Sequence, residues 1–181
     1  MNARERFIVE RLGQRGEGVA KAGEATVFIP YALPGETLVA DVGQGEARLV
    51  EIVAPSPQRI GAFCPYFTRC GGCAIPTLAM PAYRAWKRGL VVHALAQAGV
   101  EAEVAALVDA HGEGRRRATF HARVRANGRA EVGFMRARAH EIIEIEQCPL
   151  LAPSMEGALC AARALAEVLV ATGKPLDIVV T

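Results

Sequence analysis

Three cysteines lie within ten residues of this chain, and their spacing restricts the fold more than any other feature. Cys64, Cys70 and Cys73 are separated by five and then by two residues, with a Gly-Gly pair inside the shorter gap. Two glycines let the backbone curl so that neighbouring sulfurs face the same metal. A fourth cysteine, Cys148, follows an apolar strand pattern and precedes a proline. The fold is therefore predicted to bring this distant cysteine to the other three.

Four thiolates suit either a tetrahedral zinc ion or an iron–sulfur cluster. Zinc sites usually come as two close pairs of ligands, whereas three clustered cysteines with a distant fourth are typical of ferredoxins. The spacing thus favours iron–sulfur and leaves zinc open. A set of unrelated buried thiols is the third alternative, and it does not account for the Gly-Gly pair. The fifth cysteine, Cys160, lies in an alanine-rich helical pattern and is predicted to be a small buried hydrophobe.

Composition excludes two broad classes of protein. Of the 181 residues, 51% are hydrophobic and 22% charged, with a net charge of +2, which is the opposite of a disordered composition. The longest uncharged run near a predicted helix, 89–100, is far shorter than the roughly 20 residues of a membrane-spanning helix. The N-terminus has no apolar signal-peptide core. We therefore expect a cytoplasmic, monomeric protein without a membrane partner.

The first block of the chain has the pattern of a small β-barrel. Short runs with β-branched residues alternate with glycines, and Pro34-Gly35 is a turn signal. Five short strands in so few residues predict an OB-like barrel over residues 1–57. Phe28 and Tyr31 are candidates for stacking on bases, although core packing is the stronger expectation for Phe28. The predicted strands are 6–12, 18–21, 26–30, 37–42 and 47–53.

The second block, residues 58–181, mixes helix with strand and predicts an α+β domain. Residues 117–126 alternate strictly between apolar and polar, with the apolar positions inward. Asn127-Gly128 is the strongest short hairpin signal, and 129–134 returns in phase. The pattern ends on an apolar strand, so we expect the domain to be incomplete at its C-terminal end. The other predicted elements are helices at 81–98 and 153–172 and strands at 141–146 and 176–181.

Positive charge is concentrated on the predicted hairpin. Residues 115–138 hold eight arginines and one acid, Glu131, so a local charge of +7 leaves −5 on the rest of the chain. One guanidinium group can bind two phosphate oxygens at once through parallel N–H···O hydrogen bonds. Few acids lie nearby in the sequence to neutralise the arginines. An RNA-binding surface is predicted, and a solvated hairpin without a ligand is the alternative. The proposed RNA-binding residues are Arg115, Arg116, Arg117, Arg123, Arg125 and Arg136.

Motifs for nucleotide binding or nucleophilic catalysis do not occur. The sequence has no P-loop, HExxH or nucleophile elbow, and the glycines of 13–18 belong to a predicted barrel turn. The four histidines lack metal-ligand spacing, and His121 and His140, within the basic segment, are expected to be solvated. The chain therefore offers no candidate catalytic residue.

Taken together, the motifs resemble a known family. Residues 8–20 and 27–36 resemble a TRAM domain, a small β-barrel that binds RNA in RNA-modifying enzymes. The chain is similar to the RNA uracil-5-methyltransferases that carry an N-terminal TRAM domain and an iron–sulfur cluster. In that family's pattern the cluster ligands match Cys64, Cys70, Cys73 and Cys148, and the central-domain motifs match 115–118, 133–136 and 140–150.

The resemblance implies a [4Fe–4S] cluster, RNA as partner, and methylation of uridine C5 in 23S ribosomal RNA. The family's C-terminal Rossmann-like domain, which binds S-adenosylmethionine and supplies the catalytic cysteine and base, has no counterpart in this sequence. The chain is thus expected to be the RNA-binding, cluster-bearing N-terminal part of the enzyme, and inactive alone. The alternative is a stand-alone RNA-binding module with a structural zinc or iron–sulfur site. A radical methylthiotransferase, which also combines a TRAM domain with iron–sulfur chemistry, is the third hypothesis. It is disfavoured because its CxxxCxxC spacing and its C-terminal TRAM domain both differ from the pattern of this chain.

Overall fold

A computed structural model describes residues 3–43, 47–110 and 112–181. Within these ranges the chain consists mainly of β-sheet with two α-helices. Neither helix combines the length and apolarity that crossing a membrane requires.

Contacts divide the chain into two units, and each unit is made of two separate stretches of sequence. The predicted domains at 1–57 and 58–181 stay a prediction, and positions 1–2 and 44–46 of the first lie outside the described residues. The first unit contains 1–62 and 74–108, and the second contains 63–73 and 109–181.

The first unit contains six strands among its described residues, and they confirm the β-rich reading of the first block. The predicted strand 6–12 is interrupted, because Val9 donates its N–H to the Glu36 carbonyl at 2.9 Å and accepts the Gly35 N–H at 2.8 Å. The strands are β1 Ala3–Ile8, β2 Arg11–Leu12, β3 Gly18–Ala22, β4 Ala25–Ile29, β5 Thr37–Val42 and β6 Ala47–Ala54.

These strands form two antiparallel sheets, in the orders β1–β5–β6 and β2–β3–β4. In the part of the chain that the structure describes, no pairing of these strands joins the two sheets. Both sheets contribute to one core, in which Leu38 and Ala40 of β5 are fully buried and Val42 is half-buried. The buried core residues are Phe7, Val9, Ala20, Val27, Ile29, Ala32, Leu38, Ala40 and Ala47.

A buried ion pair fixes the turn that precedes β5. The Glu36 carboxylate is completely buried and accepts the Leu33 N–H at 2.8 Å and the Ser56 N–H at 3.3 Å. The Arg59 guanidinium binds the same carboxylate at 2.9 Å and also donates to the Tyr31 carbonyl at 2.8 Å. Burial opposes ionisation of Glu36, but the hydrogen bond from Arg59 and those from the backbone outweigh it, so its pKa is lowered.

Helix α1, Met80–Gln97, confirms the predicted helix to within one residue at each end. Pro81 stands in its first turn, and Gly99 follows it with a φ of 68°, as the sequence pattern requires. The Trp86 indole donates to the Gly13 carbonyl at 3.2 Å, which ties the helix to the β2–β3 turn within the first unit.

The second unit contains a four-stranded antiparallel sheet and a helix in its described residues. The hairpin is confirmed: Gly128 has a φ of 78°, and Phe120 stacks on Phe134 with ring centroids 5.2 Å apart. Ala126 is exposed rather than inward, because the first strand ends at Val124. The strands are β7 Ala118–Val124, β8 Ala130–Met135, β9 Ile142–Glu144 and β10 Leu176–Val180, in the order β10–β7–β8–β9, and the helix is α2 Ala158–Leu169.

Helix α2 corrects the prediction for Cys160. The buried stripe of the helix runs through Ala158, Leu159, Ala162 and Ala166, at spacings of one, three and four residues, as a single helical face requires. Cys160 lies two residues past Ala158, on the opposite side of the helix, and it is exposed. The alanine-rich pattern identified a helix but gave the wrong face for this residue.

Candidate metal centre and basic surface

The cysteine loop, residues 64–73, is fixed to the end of strand β8. Gly71 donates its N–H to the Met135 carbonyl at 2.9 Å, and Cys70 pairs with Arg136 as an isolated antiparallel bridge. A side chain at Gly71 would bring a Cβ within 3.0 Å of the Ala137 backbone. Glycine at position 71 is therefore required by close packing against the Ala137 backbone, in addition to the conformational freedom that the Gly-Gly pair gives the loop.

The segment that follows Cys148 is fixed by backbone pairing to Arg115. Arg115 donates its N–H to the Leu150 carbonyl at 2.6 Å and accepts the Ala152 N–H at 3.0 Å. The Cys148 carbonyl accepts the Leu151 N–H at 3.0 Å, which closes a tight turn directly after the cysteine. Cys148 and Cys70 both pack against the apolar core of the second unit.

The four predicted ligands are half-buried free thiols in the second unit. Burial raises the pKa of Cys73 to about 11, and the neighbouring Cys148 adds to this increase while Arg115 opposes it. Burial also raises the pKa of Cys70, with further increases from Cys64 and Cys148. Cys64 and Cys148 thus lie close enough to Cys70 and Cys73 to raise the pKa of those two thiols. The Gly72 N–H donates to the Cys70 sulfur at 3.4 Å, a bond that stabilises thiolate charge.

Residues 3–43, 47–110 and 112–181 contain no group of three His, Cys, Asp or Glu side chains that could hold a metal ion as they stand. The chemistry of the thiols nevertheless fits a metal centre, because a donor set made only of sulfur selects zinc or an iron–sulfur cluster over harder ions. Ligation would require the cysteine loop and the Cys148 turn to close around the group. It would also release protons from thiols that burial keeps neutral.

The arginines of the hairpin have more acidic partners than the sequence suggested. Glu131 is buried, and its carboxylate binds Arg123 and Arg125 at 3.0 Å each. Arg125 also binds Glu144 at 3.1 Å. The expectation that few acids lie nearby was wrong, because β8 and β9 bring acidic residues from later in the chain alongside β7. The remaining ion pairs of this surface are Arg129–Glu144 and Arg136–Glu141.

The arginines that precede β7 are arranged differently. Arg116 and Arg117 are exposed, and Arg115 is half-buried with its backbone paired as described above. None of these three side chains forms an ion pair with a carboxylate among the described residues. Their guanidinium donors are therefore available to an anionic ligand. Arg115 also lies close enough to Cys70 and Cys73 for its charge to offset part of the increase in their pKa values.

The structure also shows the surroundings of the aromatic, acidic and histidine side chains that the sequence singled out. Phe28 is 50% exposed on β4 rather than packed in the core, so it is available for stacking. Tyr31, the other candidate, is half-buried with a φ of 67°. Glu131 is the single acid among the eight arginines of the basic segment, and this position in the sequence was the signal for its role as the partner of Arg123 and Arg125. His121 pairs with Asp177 at 2.7 Å, and His140 is exposed.

Comparison with known proteins gives consistent results. No protein-family model matches the chain. An uncharacterized RNA methyltransferase of Mesorhizobium japonicum is 40% identical over 176 residues, which is 97% of this chain and 42% of that protein. One of Caulobacter vibrioides is 36% identical over 163 residues, 89% of this chain and 39% of that protein.

A relative with a more specific name is the 23S rRNA (uracil(1939)-C(5))-methyltransferase RlmD of Halomonas elongata. It is 36% identical over 165 residues, which is 86% of this chain and 34% of that protein. The chain therefore spans about two fifths or less of the length of these curated relatives.

Proposed function

This chain is related over nearly all of its length to part of the RNA methyltransferases, and from that premise we propose its function. It is the RNA-binding and [4Fe–4S]-binding N-terminal part of an S-adenosylmethionine-dependent RNA (uracil-5-)-methyltransferase that acts on 23S ribosomal RNA. The choice of reaction and of RNA is supported by the 23S rRNA (uracil(1939)-C(5))-methyltransferase of Halomonas elongata, which is 36% identical to this chain over 86% of the chain's length.

The domain assignment follows the same premise. Residues 1–57 are the TRAM-like, OB-like barrel, and 58–181 are the cluster-bearing domain. A single core shared by both sheets of the first unit supports a barrel-like module. The exposed ring of Phe28 supports RNA binding by that module, because an exposed aromatic ring stacks on a base at little entropic cost.

Cys64, Cys70, Cys73 and Cys148 are the proposed cluster ligands. Their presence in one unit, the effect of Cys64 and Cys148 on the pKa of Cys70, and the N–H bond to the Cys70 sulfur support the assignment. A bound cluster would supply a covalent link between two segments that are distant in sequence. We propose a structural role, in which the cysteine loop and the Cys148 turn are clasped together beside the basic surface.

The basic surface is the proposed RNA contact, through Arg115, Arg116, Arg117, Arg123, Arg125 and Arg136. Charge and pairing divide this set into two groups. Arg115, Arg116 and Arg117 have no carboxylate partner among the described residues and bind phosphate directly. Arg123, Arg125 and Arg136 are oriented by Glu131 and Glu141, and bind phosphate with the donors that those carboxylates leave free.

Methyl transfer itself belongs to the remainder of the relatives' length. In the full enzyme a cysteine thiolate would add to uracil C6 and make C5 nucleophilic enough to take a methyl group from S-adenosylmethionine; a base would then remove the C5 proton as the thiolate leaves C6. Cys160, which is exposed and lies outside the proposed ligand set, does not have this role. The chain alone is expected to bind RNA without methylating it.

The presence of four half-buried thiols in one unit carries the proposal, and anaerobic purification tests it. The wild-type chain should be brown, with iron and acid-labile sulfide in equal amounts. Cys148→Ala should lose most of both. Cys160→Ala is the matched control and should keep the wild-type content, because it removes an exposed thiol of the same unit. A colourless wild-type protein with one zinc per chain would contradict the cluster and favour the stand-alone zinc module.

A further inference from the structure

Tyr66 connects the two segments that carry the proposed ligands. It lies inside the cysteine loop, between Cys64 and Cys70. Its hydroxyl oxygen accepts the Glu146 N–H at 2.8 Å, across 80 positions of sequence. Glu146 stands two residues before Cys148. This hydrogen bond joins a side chain of the cysteine loop to the segment that leads from β9 to the fourth cysteine.

The backbone of the same residue shapes the cysteine loop. The Tyr66 carbonyl accepts the Arg69 N–H at 3.1 Å and the Cys70 N–H at 2.8 Å. These bonds form the tight turn that delivers Cys70. The Tyr66 ring packs against the core of the second unit, as Cys70 and Cys148 do. Tyr66 thus has two effects. Its backbone carbonyl fixes the position of Cys70 on the cysteine loop, and its hydroxyl fixes the position of the segment that carries Cys148.

We propose that Tyr66 is a positioning residue of the thiolate site. Its hydroxyl holds the Cys148 segment beside the cysteine loop before a metal or cluster binds. The inference rests on the proposed function, because it requires the four cysteines to act as ligands. Partners that orient ligands without touching the metal commonly change metal affinity by tenfold or more.

The hydroxyl can be removed without leaving an unpaired buried group. The hydrogen bond to Glu146 lies at an exposed position, so water can replace the phenol oxygen in a Tyr66→Phe variant. The ring and its packing are retained. The expected loss is therefore in the alignment of Cys148 and not in the stability of the unit.

Cobalt(II) titration of the metal-free chain tests this role, because cobalt occupies tetrahedral thiolate sites and its visible spectrum reports the number of thiolates. Tyr66→Phe should bind cobalt about tenfold more weakly than the wild type. The matched control is Tyr83→Phe, which removes a hydroxyl from α1 that has no hydrogen bond to a described residue, and it should bind like the wild type. The thermal unfolding of metal-free Tyr66→Phe should equal that of the wild type.

A double-mutant cycle with Cys148→Ala separates positioning from general stability. If Tyr66 acts through Cys148, the Tyr66→Phe change should have no further effect on cobalt affinity once that thiol is absent. Unchanged affinity in Tyr66→Phe, or an equal loss in both backgrounds, would overturn the inference. Failure of the wild-type chain to bind cobalt, zinc or iron with sulfide would instead contradict the proposed metal site itself.

Discussion

Glu36 in the first unit and Glu131 in the second are both buried carboxylates bound by arginine, yet their surroundings differ. All partners of Glu36 are internal: two backbone N–H groups and Arg59, whose side chain is only 17% exposed. The arginines of Glu131 are 42% and 46% exposed. Hydrogen bonds from arginine lower the pKa of both carboxyl groups against the effect of burial.

The difference separates two uses of the same ion pair. The Glu36 pair is closed, because the guanidinium of Arg59 also donates to the Tyr31 carbonyl and has little contact with solvent. The Glu131 pair is open, because Arg123 and Arg125 keep donors at the surface, where a phosphate oxygen could bind. A closed pair fixes a turn, whereas an open pair holds arginines that keep donors at the surface.

The largest expected effect is on stability. Glu36→Ala should lower the free energy of unfolding by about 3–5 kcal/mol, because it leaves the charge of Arg59 and two N–H groups without their partner. Glu131→Ala should lower it by about 1–3 kcal/mol, since Arg123 and Arg125 can be hydrated. Urea unfolding monitored by Trp86, the single tryptophan, reports on the first unit, and hydrogen exchange of β7 reports on the second. Equal losses would contradict the distinction.

A smaller effect is expected in acid. The folded pKa of Glu36 lies below its ordinary value of 4.5, so its contribution to stability is complete above that pH. The contribution is then lost as the pH falls through the folded pKa. Glu36→Gln cannot titrate, so its free energy of unfolding should decrease less steeply below about pH 4.5 than that of the wild type. Unfolding curves measured across this range check the prediction, and parallel curves would count against it.

The smallest effect concerns RNA affinity and separates unpaired from paired arginines. Arg117→Gln should weaken binding of a single-stranded RNA and reduce the slope of log affinity against log salt by about 1. Arg123→Gln should reduce the slope less, because Arg123 is already partly neutralised by Glu131. Titrations at several salt concentrations measure both slopes. An unchanged slope in Arg117→Gln would remove this residue from the RNA surface.

Local sequence patterns were sufficient for most of the secondary structure. The alternation of 117–126 and Asn127-Gly128 predicted β7, β8 and their turn, and the proline and glycine around α1 predicted its ends. These features depend on neighbouring residues, so the sequence shows them directly. The same patterns gave no information on how the six strands of the first unit divide into two sheets.

Side chains whose surroundings come from distant segments were predicted less well. Cys160 was assigned to the wrong helix face and Phe28 to the core, because composition does not show which face the rest of the unit covers. The acidic partners of the arginines were missed, since Glu144 reaches Arg125 only through the pairing of β8 with β9. Tyr66 was missed for the same reason: its partner is 80 positions away.

The division of the second unit into 63–73 and 109–181 has a consequence during translation. The ribosome releases Cys64, Cys70 and Cys73 long before it has made Cys148, the hairpin strands or Glu146. For that interval a growing chain presents three thiols with none of the strands that later hold them. Maturation of the proposed four-thiolate centre must therefore follow synthesis of the hairpin, and a cellular factor that delivers iron or zinc would meet a competent acceptor only after Cys148 has been made.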